Sequence, residues 1–138
     1  MRGAPWVALL LAACPEPKPA PSGLRVPLPE GWVATAAGTG LTVGPRGRVV
    51  VTLERRSGEV PLASELRDAV KDEGATEVLL DEGEGYAAVR YRLGPTRDGF
   101  LAARRVGPRT VFCASTARAS PTDVDDGLAL CRQVGLDE

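Results

Sequence analysis

TEVLLDEGEGYAAVRYRLGPTRDGFLAARRVGPRTVFCAST, residues 76–116, contains four apolar runs separated by three glycine-bearing breaks. The runs Thr76–Asp81, Tyr86–Leu93, Phe100–Val106 and Thr110–Thr116 have the length of strands and the Val, Leu, Tyr and Phe content that suits a pleated surface. The breaks at Gly83-Glu84-Gly85, at residues 94–99 with Gly94-Pro95 and Asp98-Gly99, and at Gly107-Pro108-Arg109 are turn formers. Links this short leave no room for a crossover, so the four runs pair as antiparallel hairpins.

A helix is expected on each side of this block. C-terminal to it, Ser120 stands at an N-cap, Pro121 at the first helical position and Asp123 three residues after the cap, a capping-box spacing with Asp in place of Glu. Val124, Leu128, Cys131 and Gly135 then fall on one stripe. N-terminal to the block, Leu62, Leu66, Ala69 and Val70 share a stripe, with Pro61 in the first turn and Gly74 as the stop. Further upstream, Arg48 to Arg56 reads as a long strand whose alternation is broken by Val50, and Leu41 to Val43 as a short one. Leu24 to Trp32 carries Pro27 and Pro29, which restrict it to an edge or entering strand turning at Pro29-Glu30-Gly31. The expected fold class is α+β: an antiparallel sheet of about six to seven strands flanked by two helices, in a single domain over residues 24–138.

That order of elements, together with the opening Val26-Pro27-Leu28-Pro29-Glu30-Gly31-Trp32, resembles the Mog1/PsbP-like superfamily. The resemblance spans about residues 24 to 136. It implies an antiparallel sheet with flanking helices and a binding or assembly role without catalysis, and it supplies no catalytic motif to carry over.

The N-terminus tells where the chain works. Arg2 precedes the apolar run Trp6 to Ala13, eight residues, far short of the roughly 20 a membrane-spanning helix needs. Leu11-Ala12-Ala13-Cys14 resembles the lipobox of bacterial lipoproteins, which implies a signal peptide over residues 1–13 and a lipid bilayer as the partner of an acylated Cys14. Prolines 15, 17, 19 and 21 make residues 14–23 a lipidated Cys followed by an extended, semi-rigid spacer. With Cys14 assigned to lipid, Cys113 and Cys131 remain as an even pair in an oxidising compartment, where a disulfide is expected to staple the last helix onto the sheet. The expected location is the bacterial cell envelope, facing the periplasm or the exterior.

Composition narrows the chemistry. The chain has 138 residues, 17 basic against 18 acidic, and no His. A balance near zero argues against nucleic acid as a partner, and the missing imidazole removes Ser-His-Asp and Cys-His catalysis and His-ligated zinc. Asn and Ile are absent too and Arg outnumbers Lys 15 to 2, the mark of a GC-rich coding bias. The stretch Gly38 to Gly44 has its third glycine one residue late for a dinucleotide fingerprint and reads as a loop. Asp123-Val124-Asp125-Asp126-Gly127 lacks the spacing of a calcium loop and reads as acids in the first turn of a helix. Asp81, Glu82 and Glu84 form either a carboxylate cluster or a solvated hairpin tip. Arg48, Arg90, Arg92, Arg104, Arg105 and Arg109 form either a basic patch or cross-strand pairs with Glu54, Glu82 and Glu84. No metal, cofactor or catalytic residue is expected. The reading that follows is a non-enzymatic envelope lipoprotein that binds another envelope protein, with two alternatives: a ligand-binding module using a helix–sheet groove, or a hydrolase working through carboxylates such as Asp81 and Glu84.

Overall fold

The computed structural model describes residues 23–38 and 40–136. The signal peptide, the lipobox residues Leu11, Ala12 and Ala13, Cys14 and the spacer up to Ser22 lie outside the described residues.

The chain forms β1 (Leu24–Arg25), β2 (Trp32–Ala37), β3 (Gly40–Pro45), β4 (Val51–Arg56), helix α1 (Ala63–Lys71), β5 (Thr76–Gly83), β6 (Tyr86–Leu93), β7 (Arg97–Val106), β8 (Arg109–Ser115), helix α2 (Pro121–Cys131) and β9 (Gly135–Leu136). Seven strands make one antiparallel sheet in the order β2-β3-β4-β8-β7-β6-β5. Two meanders build it. β2 to β4 are laid down first; the chain then crosses through α1 to the far edge, and β5 to β8 return until β8 pairs with β4 from Val51↔Ser115 to Arg56↔Thr110. The fold class is the one expected, and the two helices lie on either side of the block 76–116 as expected.

Because side chains alternate along a strand, the register assigns two faces. On one, Leu41, Val43, Val51, Leu53, Tyr86, Ala88, Phe100, Ala102, Val111 and Cys113 form the main core with Val124, Leu130 and Cys131 of α2. On the other, Ala87 and Val89 pack with Ala63, Leu66 and Val70 of α1 in a smaller core. Helix α1 covers only the β5–β6 end. The β2–β3–β4 end of that face carries Thr35, Thr42 and Thr52 in one cross-strand row.

Helix α2 starts as the capping pattern requires: the Asp123 amide donates to the Ser120 hydroxyl at 3.2 Å and the Ser120 amide to the Asp123 carboxylate at 2.9 Å. Helix α1 begins without a polar cap at Leu62, and the Leu62 amide is taken up by Glu65 at 2.8 Å. It ends where Gly74 enters the left-handed region at φ 92°, a conformation that costs glycine nothing.

Several expectations are corrected. Strand β2 is not among the expected strands: three of the five residues from Val33 to Ala37 are Ala, which strands disfavour, and β3 supplies the full ladder that holds it. The strand expected from Leu24 to Trp32 is reduced to the two residues of β1, which stays out of the seven-stranded sheet and pairs with β9 in a separate two-stranded one. Gly135, placed on the last helix by periodicity, lies in β9. In α1 the inward stripe is Ala63, Leu66 and Val70, while Leu62 is 59% exposed at the cap. The long strand from Arg48 is shortened because Val50 and Val51 both oppose Val43: Val51 is its ladder partner and the Val50 amide donates to its carbonyl at 3.0 Å. Two residues facing one is a bulge, which is how two consecutive valines both reach the core.

Candidate functional site

At the β5 end of the α2-side face, the helix and the sheet part. Helix α2 packs on β7 and β8, so the outer strand is left uncovered and a trough of about 170 Å³ opens between them. Buried Ala88 forms its floor, with Leu79 of β5 and Leu128 of α2 on its sides. A second hollow of about 160 Å³ continues along the same strands past Glu77, Arg92 and Asp98, and Leu79 and Arg90 border both.

Ion pairs bracket the trough. Arg132, just past the last helical residue, pairs with Asp81 on β5, and its guanidinium stands 4.5 Å over the Tyr86 ring. At the other end Arg90 pairs with Asp125 of α2 and, at 3.3 Å, with Asp98, and it donates to the Pro121 carbonyl at 3.4 Å. Arg92 shares Asp98 at 3.3 Å and approaches Glu77 at 3.8 Å. Burial alone would lower the Arg90 pKa; its hydrogen bonds to Asp125 and Asp98 outweigh that and hold it above its usual value, so the group is a fixed cation. The Tyr86 hydroxyl is buried without a hydrogen-bond partner among the described residues. Burial raises its pKa and the Arg104 charge only partly offsets this, so the phenol stays protonated at neutral pH.

The acids do not converge. Asp81 and Glu82 are consecutive on β5 and so point to opposite faces. Asp81 engages Arg132, Glu82 accepts the Ala63 amide of α1 at 3.1 Å, and Glu84 sits in the following turn. The expected hairpin tip is therefore two strand residues with structural partners and one turn residue. Asp123 is held by α2's own cap and by Arg48, while Asp125 is Arg90's partner. No group of three or more His, Cys, Asp or Glu that could hold a metal occurs among the described residues. Of the Gly38 to Gly44 stretch, expected as a loop, Gly40 to Gly44 lie in β3, and the next element is the strand β4 rather than a helix that could receive a phosphate.

The six strand arginines do not form a patch. Arg48 goes to Asp123, Arg90 and Arg92 to Asp98, and Arg104 to the Arg132 carbonyl and, at 3.1 Å, the Val134 carbonyl at the end of α2. Arg105 donates to the Gly107 carbonyl at 3.0 Å, and Arg109 opposes Val106 at the β7–β8 turn. The expected partners are corrected too: Glu54 takes Arg56 of its own strand at 2.6 Å and Glu82 takes a backbone amide. Cys113 and Cys131 are joined by a disulfide with their Cα atoms 6.3 Å apart.

The sequence reading did not single out Arg132 or the pair Leu79-Leu80. Leu79 and Leu80 are 68% and 47% exposed. Their signal was present: consecutive leucines in a strand point to both faces, which fits only a fully covered strand or one whose cover comes from elsewhere.

No protein-family model matches the chain and no curated protein matches its sequence. Among solved structures, the solution structure of cyanobacterial PsbP (CyanoP) from Synechocystis sp. PCC 6803 is similar. Its TM-score is 0.47 at 14% identity, over 83% of this chain and 87% of that one.

Proposed function

We propose that the chain is a lipid-anchored bacterial envelope protein whose α+β domain binds another envelope component and catalyses no reaction. The observation that carries the reading is the β5 end of the sheet, where exposed Leu79 and Leu80 border an apolar-floored trough while the nearby acids are committed elsewhere: Asp81 to Arg132, Asp98 to Arg90 and Arg92, Glu82 to α1. Apolar surface kept in water points to a partner, whereas carboxylate catalysis needs two acids free to exchange protons across a cleft. A small ligand in the trough is the second reading. At about 170 Å³ the trough is well below the roughly 300–1,000 Å³ of small-molecule sites, so a macromolecule is favoured.

Anchoring in this reading rests on Leu11-Ala12-Ala13-Cys14; among the described residues no helix is long and apolar enough to cross a membrane. Two or more acyl chains, at about 0.8 kcal/mol per buried methylene, hold far more firmly than one. The test is detergent-phase partitioning combined with cross-linking in intact cells. Wild type is expected in the detergent phase with a cross-linked envelope protein, and Cys14→Ala in the aqueous phase. Unchanged membrane association of Cys14→Ala refutes the anchor, and absence of any cross-linked partner refutes the binding role.

A further inference from the structure

We infer that β5 is a docking edge for an extended polypeptide segment with an apolar centre and basic flanks, which joins the sheet as an eighth strand. The inference rests on the binding role above and names the partner's chemistry.

β5 is an outer strand, with no strand beyond it among the described residues. Its residues Leu79 and Leu80 point to opposite faces, yet both are exposed, at 68% and 47%. One cause explains both: the neighbour that would flank them is missing. A strand added there would set its side chains against Leu79 over the trough on one face, and against Leu80 beside α1 on the other. Proteins usually blunt such an edge, and this one does so only in part. An extra residue between Thr76 and Leu79, with Glu77 at φ 51°, distorts the start of the strand. From Leu79 to Gly83 the ladder with β6 is regular, leaving five residues, about 16 Å, of straight edge.

Charge selects the occupant. Across residues 71–85, Asp72, Glu73, Glu77, Asp81, Glu82 and Glu84 face a single Lys71, a local balance of −5 in a chain whose net charge is −1. Arg132, just past α2, and Arg92 of β6 pair with two of these acids, but Asp81 and Glu77 remain 55% and 71% exposed, so their charge still faces solvent along the edge. A second copy of this chain is a poor occupant, because two β5 edges would bring like charges face to face. The opposite edge, β2, has no charged residue from Trp32 to Ala37, so a basic segment distinguishes the two ends of the sheet.

The experiment titrates the peptide acetyl-Arg-Lys-Thr-Val-Leu-Val-Thr-Lys-Arg-amide into the isotope-labelled chain carrying Cys14→Ala, read by backbone amide shifts and hydrogen exchange. Amides from Leu79 to Gly83 are expected to shift, and exchange there to slow by about tenfold. Three controls are each expected to bind about tenfold more weakly: the peptide N-methylated at alternate residues, its Glu-for-Arg/Lys counterpart, and the Leu79→Lys/Leu80→Lys protein. Should that protein not fold, Glu77→Lys/Glu84→Lys is the second variant, expected to bind about threefold more weakly at low salt and to lose most of its salt dependence. Shifts confined to the Thr35, Thr42 and Thr52 face, or equal binding by the N-methylated peptide, would overturn the inference. It fails separately from the binding role: an envelope protein cross-linked equally to wild type and to Leu79→Lys/Leu80→Lys overturns the edge and leaves the role standing.

Discussion

Helix α2 approaches the sheet most closely at Gly127, which presents only hydrogen where a Cβ would come 2.7 Å from the Phe100 ring and 2.8 Å from the Val51 side chain. Helix α1, on the opposite face, rests on β5 and β6 through Ala63, Leu66 and Val70. Their ends are tied differently as well. Helix α2 is bonded to β8 through Cys131, capped by Ser120 and Asp123 with Arg48 behind them, and closed at its C-terminal carbonyls by Arg104. Helix α1 is tied to the far edge of the sheet through its Ala63 amide, which donates to the Glu82 side-chain carboxylate on β5. The difference teaches which part of the molecule is scaffold. The β4–β8–β7 seam under α2 is locked, and the α1–β5 end, where the docking edge lies, belongs to the less restrained part from which binding surfaces are drawn.

The sharpest way to break this comparison is to remove one anchor from each face. Phe100 is fully buried under α2, and Phe100→Ala is expected to cost about 3–5 kcal/mol. Against a total stability of roughly 5–15 kcal/mol, that leaves a marginal fold. Leu66→Ala under α1 is expected to cost at least 1 kcal/mol less, because the smaller and more open α1 layer can relax into the space. Urea midpoints of the two variants decide it, and equal losses would show that the faces are equivalent. The disulfide comes next. Cys113 and Cys131 are 18 residues apart, and closing a loop of that size is worth about 3 kcal/mol in the chain-entropy view. Cys113→Ala/Cys131→Ala should lower the midpoint accordingly, and hydrogen exchange should then show α2 opening as readily as α1. An α2 that keeps its protection without the bond would show that packing alone locks it.

Much of this architecture was legible in the sequence because the deciding residues act locally. Gly83-Glu84-Gly85 and Gly107-Pro108 make turns from their own backbone preferences, and Ser120-Pro121 with Asp123 starts a helix from within it. Cys113 and Cys131 were legible for another reason: with Cys14 assigned to lipid they remain as an even pair, and strand and helix periods put each on an apolar stripe. What escaped depends on neighbours distant in sequence. Strand β2 exists because β3 pairs with it, and β9 because Leu24 and Arg25 lie beside it. The separation of Asp81 from Glu82 follows from alternation, but the identity of their partners, Arg132 and the Ala63 amide, is set by where α2 and α1 come to rest. The candidate site was least legible of all. Its two leucines are ordinary strand residues until the strand order places them at an edge.

A smaller effect tests how close α2 lies. Gly127→Ala should strengthen the helix intrinsically by up to about 1 kcal/mol. It also drives a methyl into the Phe100 ring and Val51, both buried with nowhere to move, at a cost of about 1–3 kcal/mol. A net loss of about 1 kcal/mol is expected in urea unfolding. A net gain would mean that the helix can lift from the sheet, and the contrast with α1 would then rest on the disulfide alone.

The smallest expected effect concerns the start of α2 and depends on pH. Burial of Asp123 by itself raises its pKa, but the Ser120 amide, the Arg48 guanidinium and the Ser120 hydroxyl together outweigh it and hold the carboxyl below the 3.8 of an exposed Asp. The sign follows from linkage. A carboxyl whose folded pKa is depressed stabilises the fold while it is ionised, so its contribution is complete above about pH 5 and is withdrawn as pH falls through the unfolded and then the folded value. Asp123→Asn keeps an oxygen that can accept the Ser120 amide but loses the charge facing Arg48. It is expected to cost about 1 kcal/mol at pH 7, the usual worth of a cap with its charge partner. Below pH 3.8 the gap between wild type and variant should shrink, because the wild-type carboxyl is itself being protonated. Urea midpoints of both proteins at pH 7, 5, 3 and 2 provide the measurement. A gap of the same size at pH 2 as at pH 7 would assign the cap's strength to hydrogen-bond geometry rather than to charge, and the Arg48 contact would then do little to tie α2 to the β3–β4 loop.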